Sequence, residues 1–127
     1  VRIAASPNSH QGKPECDGKS NTYFLTRTYE TKPGQARLAA TLAAKICKAY
    51  EEAGQRDQPT VTFNGGTLPG EMNRVYMRWF AETIESPYRG GNVSPDTSEF
   101  GSQLRDITVR NWIEFEELLT PDKYQEN

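Results

Sequence analysis

The chain has 127 residues, 25% of them charged and 35% hydrophobic, with a formal net charge of -2 and a mean hydropathy of -0.80. That length suits one domain with an economical core, burying roughly two-thirds of the surface its unfolded form exposes. Fifteen basic against seventeen acidic residues, with no Lys/Arg cluster interleaved with aromatics, argue against nucleic-acid binding. No apolar run approaches the ~20 residues that a membrane-spanning helix needs.

Residues 1–20 contain "SPNSHQGKPECDGKS", rich in Pro, Gly, Ser, Asn and Lys and without periodicity, which reads as an irregular arm. The chain begins at Val1, which fits removal of a leader or truncation, and localisation is not written in these residues. Tyr23 to Glu30 is aromatic and β-branched, the composition of a strand. After the turn residues Lys32-Pro33-Gly34 a helix is expected, with Pro33 at the beginning of its first turn. Leu38, Leu42, Ile46, Ala49, Tyr50 and Ala53 line its apolar face, and Gly54 suits the stop.

"PTVTFNG" (59–65) reads as a second strand. The Gly-rich "NGGTLPGEMN" is a loop to a neighbouring strand, and "RVYMRWF" (74–80) is that strand. "AETIESPYR" has the character of a helix start that Pro87 interrupts, "GGNVSPD" is loop, and "TSEFGSQLRDI" is a second helix begun by Thr97 or Ser98. "TVRNWIEFEELL" (108–119) is a fourth strand, and "TPDKYQEN" a C-terminal tail with residues 122–127 beyond the domain. The order β-α-β-β-α-β predicts an α+β, ferredoxin-like fold over 21–121, with a four-stranded antiparallel sheet and both helices on one face.

Few residues carry recognisable chemistry. Cys47 falls in the helical pattern as a buried thiol, and Cys16 lies in the polar arm. A disulfide between them requires an exported protein and a geometry that sequence does not show. One histidine, His10, has no Cys or carboxylate cluster around it, so a metal site lacks support. "NGGTLPG" lacks the following Lys-Ser/Thr of a phosphate cradle, and there is no G-x-S-x-G. Asn92-Val93-Ser94 matches the N-glycosylation acceptor pattern, which matters only in a secreted eukaryotic protein.

Alternation along the strands bears on the second face of the sheet. On the third strand Val75, Met77 and Trp79 point one way and Arg74, Tyr76, Arg78 and Phe80 the other. On the fourth, Ile113 and Phe115 oppose Trp112, Glu114 and Glu116. The set containing Tyr76, Phe80 and Trp112 is too aromatic to be left in water, and a second copy of the same sheet is its simplest cover.

"FLTRTYETKPGQ" before an Ala/Leu-rich helix, "NRVYMRWFAETIES" after a Gly-rich loop, and "NWIEFEELLTP" near the end resemble strands one, three and four of the dimeric α+β barrel proteins. The resemblance spans about residues 22–121 and is nearest to the NIPSNAP-like branch. It implies a homodimer whose facing sheets enclose side-chain-lined cavities. The activities it implies include that of a cofactor-independent monooxygenase, of the kind seen in antibiotic biosynthesis, or an isomerase acting on a small aromatic molecule. The alternative is a non-catalytic small-molecule-binding or structural dimer. No cofactor is expected, because the haem-dependent members need an axial histidine that the matched region lacks. Pro87 and "RGGNVSPD" depart from the family's usually continuous second helix.

If the mixed face lines a cavity, Arg78 is placed to stabilise a phenolate, Tyr76 or Glu114 to move a proton, and Arg27, Tyr29 and Trp112 to bind substrate. The competing reading makes Arg78 and Glu114 an ion pair on neighbouring strands or between subunits, and Trp112 a dimer-core residue.

Overall fold

A computed structural model describes residues 22–54, 56–82 and 95–126. In chain order its elements are β1 (Tyr23–Thr31), α1 (Ala36–Glu52), β2 (Asp57–Asn64), β3 (Arg74–Ala81), α2 (Ser98–Asp106), β4 (Thr108–Glu117) and a 3-10 turn, Pro121–Lys123. The strands form one sheet in the order β2-β3-β1-β4, and every pairing is antiparallel. α1 packs over β2 and β3 and against α2, which lies by β4. The expected β-α-β-β-α-β arrangement is therefore present.

Alanine explains how so apolar-poor a chain makes a core. Ala36, Ala39, Ala40 and Ala43 are buried on α1 together with Leu42, Ile46, Cys47 and Tyr50. They pack with Leu25, Val75, Met77, Trp79 and Leu104 in one cluster. Alanine favours helix and lets the backbone come close to the sheet. The buried stripe is rotated from the expected one, because Leu38 stands 49% exposed while Ala39 is fully covered.

The entry to α1 also differs. Helix begins at Ala36, so Pro33 is not in its first turn. Instead Gln35 N–H donates to Lys32 O at 3.1 Å, with Gly34 at φ 78°. This is a β-turn with Pro preset at its second position and a left-handed third position that glycine takes without strain.

Asn64 organises the β2–β3 loop. Its Nδ2 donates to Leu68 O at 3.0 Å, and its Oδ1 accepts from Gly66 N–H at 2.9 Å. Ala81, expected in a helix start, is the last residue of β3. The C-terminal segment is tied down rather than loose. Lys123 Nζ lies 2.9 Å from Glu117 Oε2 and donates to Leu118 O at 2.9 Å, while buried Thr120 bonds Asp122. The readings made of the arm 1–20, of Cys16 and His10, and of Pro87 and Asn92 lie outside the described residues.

Register decides which side chains share a face. Arg27 opposes Met77 and Ile113, and Tyr29 opposes Val75 and Asn111. Partners across an antiparallel ladder point to the same side, so Arg27 and Tyr29 lie on the helix side, with the core. The expectation that they share a face with Tyr76 and Trp112 fails because the pairing register sets the phase of β1. The open side carries Phe24, Thr26, Thr28 and Glu30 from β1 and Arg74, Tyr76, Arg78 and Phe80 from β3. From β4 it carries Arg110, Trp112, Glu114 and Glu116.

Candidate functional site

The six residues singled out from sequence divide between the two sides of the sheet. Tyr76, Arg78, Trp112 and Glu114 are on the open side; Arg27 and Tyr29 are on the other. Nor do Arg78 and Glu114 sit on neighbouring strands. Both oppose Thr26, one from each flank of β1, which separates their backbones by about 9–10 Å, two strand spacings. Arg78 Nη1 instead donates to Thr62 Oγ1 at 3.2 Å, and its guanidinium lies 4.8 Å from the centre of the Tyr76 ring.

The ion-pair network of the open side is two rows away, beyond Tyr76 and Trp112. Arg110 Nε bonds Glu30 Oε1 at 2.7 Å, and Arg74 Nη2 lies 3.8 Å from the same oxygen. The Trp112 ring takes both cations, Arg74 at 5.4 Å and Arg110 at 4.9 Å. The bond from Arg110 holds the exposed Glu30 carboxyl below its ordinary range. At the other end Phe24 and Phe80 meet with ring centres 4.9 Å apart. This surface offers aromatic rings and arginines, the residue types enriched at interface cores, beside carboxylates of the kind found at a polar rim.

A concave feature among the described residues lies on the helix side. A cleft of about 380 Å³ opens between α1, α2, β1 and β4, with Arg27, Tyr29, Ile46, Tyr50, Arg56 and Leu104 in its walls. This is within the size range of small-molecule sites. Arg27 Nη1 donates to Asn111 Oδ1 at 2.8 Å, fixing the side chain along the sheet.

Arg56 is the residue that the sequence reading missed. It sits between α1 and β2, where a charged residue looks like an ordinary loop position. Yet it is partly buried, with its guanidinium 4.0 Å from the Tyr50 ring centre and 4.1 Å from that of Trp79. Nη1 meets the Met77 sulfur at 2.9 Å and the side chain also bonds the Cys47 thiol, both weak sulfur acceptors. No carboxylate among the described residues is paired with it. Burial pulls its pKa below the ordinary guanidinium value. Taking such an ion out of water costs several kcal/mol, which the two ring contacts, each about 2 kcal/mol when desolvated, offset in part.

Two neutral acids border this cation. Burial pushes the Tyr29 phenol above its ordinary value, against the lowering by Arg27 and Arg56. It pushes the Cys47 thiol up as well, against Arg56. Both hold their protons more tightly folded than unfolded. Their contribution to stability is complete below the unfolded values and is lost as pH rises through the folded ones, above about pH 9. The urea midpoint is expected to be lower at pH 10.5 than at pH 8, with a smaller fall in Tyr29→Phe. An identical fall in that variant contradicts the assignment to Tyr29. Cys47 is free and buried.

Among the described residues no group of His, Cys, Asp and Glu is arranged to hold a metal, and no helix is long and apolar enough to cross a membrane.

A four-stranded antiparallel sheet with two helices on one side and a cleft beneath them defines a ferredoxin-like α+β protein. Solved structures carry the comparison further. A NIPSNAP family protein from Agrobacterium tumefaciens matches 80% of this chain and 89% of its own, with a TM-score of 0.57 at 14% identity. A second NIPSNAP family protein from that organism, of unknown function, matches 83% and 95%, with a TM-score of 0.52 at 12% identity. A Bacteroides thetaiotaomicron protein of unknown function, described as a possible oxidoreductase, matches 79% of this chain and all of its own, with a TM-score of 0.57 at 8% identity. No family model matches the chain, and no curated protein does. The chain has the NIPSNAP-like fold, and the resemblance read from its sequence is borne out at that level.

Proposed function

We propose that the protein is a homodimeric small-molecule-binding α+β barrel protein that takes a small aromatic ligand in the helix-side cleft. The cleft carries this reading. Tyr29 and Tyr50 supply ring surface, Ile46 and Leu104 apolar walls, and Arg27 and Arg56 directional donors. Apolar walls with a few placed polar groups are the usual make-up of a ligand pocket.

In this reading Tyr76, Arg78, Trp112 and Glu114 belong to the pairing of two sheets and not to a reaction centre. Arg78 and Glu114 lie on opposite flanks of β1, so a two-fold pairing can set Arg78 of one copy against Glu114 of the other.

Catalysis as a cofactor-independent monooxygenase or isomerase on a small aromatic molecule is the second reading. It is favoured by Tyr29, whose retained proton is a hydrogen-bond donor for a developing oxyanion between Arg27 and Arg56. The possible oxidoreductase among the proteins of similar fold is compatible with it.

Thermal denaturation with a panel of small phenols and aromatic acids tests the binding reading. A ligand at ten times its Kd adds about 1.4 kcal/mol of stability, a shift of several degrees. A panel that moves the Tm of the native protein nowhere contradicts the reading. Oxygen uptake or product formation with a stabilising ligand then separates enzyme from binder.

A further inference from the structure

We infer that the cleft is a carboxylate site, anchored by the Arg56 guanidinium and flanked by Arg27 and Arg105, for a small organic acid with a flat apolar body. This specifies the charge of the ligand and rests on the binding reading above.

The first ground is local charge. Arg27, Arg56 and Arg105 line the cleft, and none of its lining residues is an Asp or Glu, in a chain with more acidic than basic residues. Arg110 also contributes to the wall, but its Nε is committed to Glu30.

The second ground is the geometry of Arg56. The guanidinium lies over two rings, 4.0 Å from the centre of Tyr50 and 4.1 Å from that of Trp79. The N–H donors of a guanidinium lie in its plane, and those not turned to the Met77 and Cys47 sulfurs form the kind of edge that matches a carboxylate bidentately. The two rings hold the guanidinium in place before a ligand arrives, which reduces the ordering needed on binding.

The third ground is the balance of donors and acceptors. Thr108 Oγ1 donates to Leu104 O and Asn111 Oδ1 accepts from Arg27, so both are used within the protein. Arg56, the further N–H groups of Arg27 and the protonated Tyr29 hydroxyl are donors. Among the described lining residues no acceptor carries a negative charge. Inorganic phosphate presents similar oxygens, but the apolar walls of Ile46 and Leu104 would then meet nothing, and this favours the organic acid.

The test is calorimetric titration of the full chain with benzoate and 2-naphthoate, with their neutral amides, and with inorganic phosphate. Each is repeated on Arg56→Met and Arg56→Lys after circular dichroism has shown the fold. One of the carboxylates is expected to bind at least tenfold tighter than its amide. Arg56→Met should lose that advantage, weakening the amide, which has only a neutral carbonyl to offer, far less than the acid, and Arg56→Lys should lose part of it, since an ammonium keeps the charge without the planar fork. If Arg56→Met does not fold, Arg27→Met and Arg105→Met carry the test, each expected to weaken the acid at least threefold and the amide by less.

Amide binding equal to acid binding overturns the carboxylate assignment and leaves the small-molecule reading standing. Phosphate binding tighter than either acid overturns the organic-acid assignment in favour of a phosphate site. Binding of none of the probes at millimolar concentration overturns both readings.

Discussion

Trp79→Ala is expected to destabilise the protein by about 3 to 5 kcal/mol, the range for removing a large aromatic from a packed core. The indole is 7% exposed and sits on central strand β3, opposite Leu25. Its loss leaves a cavity beneath α1 and removes one of the two rings at Arg56. The Tm should fall by roughly 10 °C or more. Trp79→Phe should recover much of the loss, because a smaller ring still covers the guanidinium. A loss below about 1 kcal/mol in the alanine variant would show that Trp79 is not the shield described here.

Phe80→Asp is expected to turn a dimer into a monomer while leaving the fold intact. Phe80 lies on the open side of the sheet against Phe24, away from the helices. A carboxylate there would have to be desolvated between two sheets, without a pairing partner in the row it shares with Glu116. Interface centres are the most sensitive to such changes, and the dissociation constant should rise at least a hundredfold. Light scattering at micromolar concentration should give twice the chain mass for the native protein and one chain mass for the variant. Ser102→Asp, on the exposed side of α2, should remain a dimer. A native protein that is already monomeric contradicts the sheet-to-sheet pairing.

These two expectations come from opposite sides of one sheet, and the two sides were not equally readable. β3 announces itself: Val75, Met77 and Trp79 alternate against Arg74, Tyr76 and Arg78, and the structure keeps that division. β1 does not. Both of its alternating sets mix an aromatic with a charge, Phe24 with Glu30 and Tyr29 with Arg27, so alternation alone gives no phase. Only pairing with β3 and β4 sets it, and pairing is a long-range property. Arg27 and Tyr29 were accordingly assigned to the wrong side.

Strand order is equally invisible locally. Nothing around Arg78 or Glu114 says that β1 runs between them. Leu38 misled for a different reason, since a large apolar residue outweighs Ala39 and Ala43 in any hydrophobic pattern, whereas close helix-to-sheet packing selects the small ones. Arg56 had a faint signal at best, an arginine between a helix stop at Gly54 and a strand. Its partner Trp79 is on another strand, and the stacking exists only once the chain is folded.

The division of labour, with the helix side binding and the open side pairing, is tested most directly by amide chemical-shift mapping of the labelled native protein during titration with 2-naphthoate. The account predicts perturbations concentrated at Arg27, Tyr29, Tyr50, Arg56, Leu104 and Asn111, with the signals of Thr26, Tyr76, Arg78 and Glu114 unmoved. Perturbations centred on Tyr76, Arg78 and Trp112, with Arg56 and Tyr50 silent, would put the ligand on the open side and contradict it.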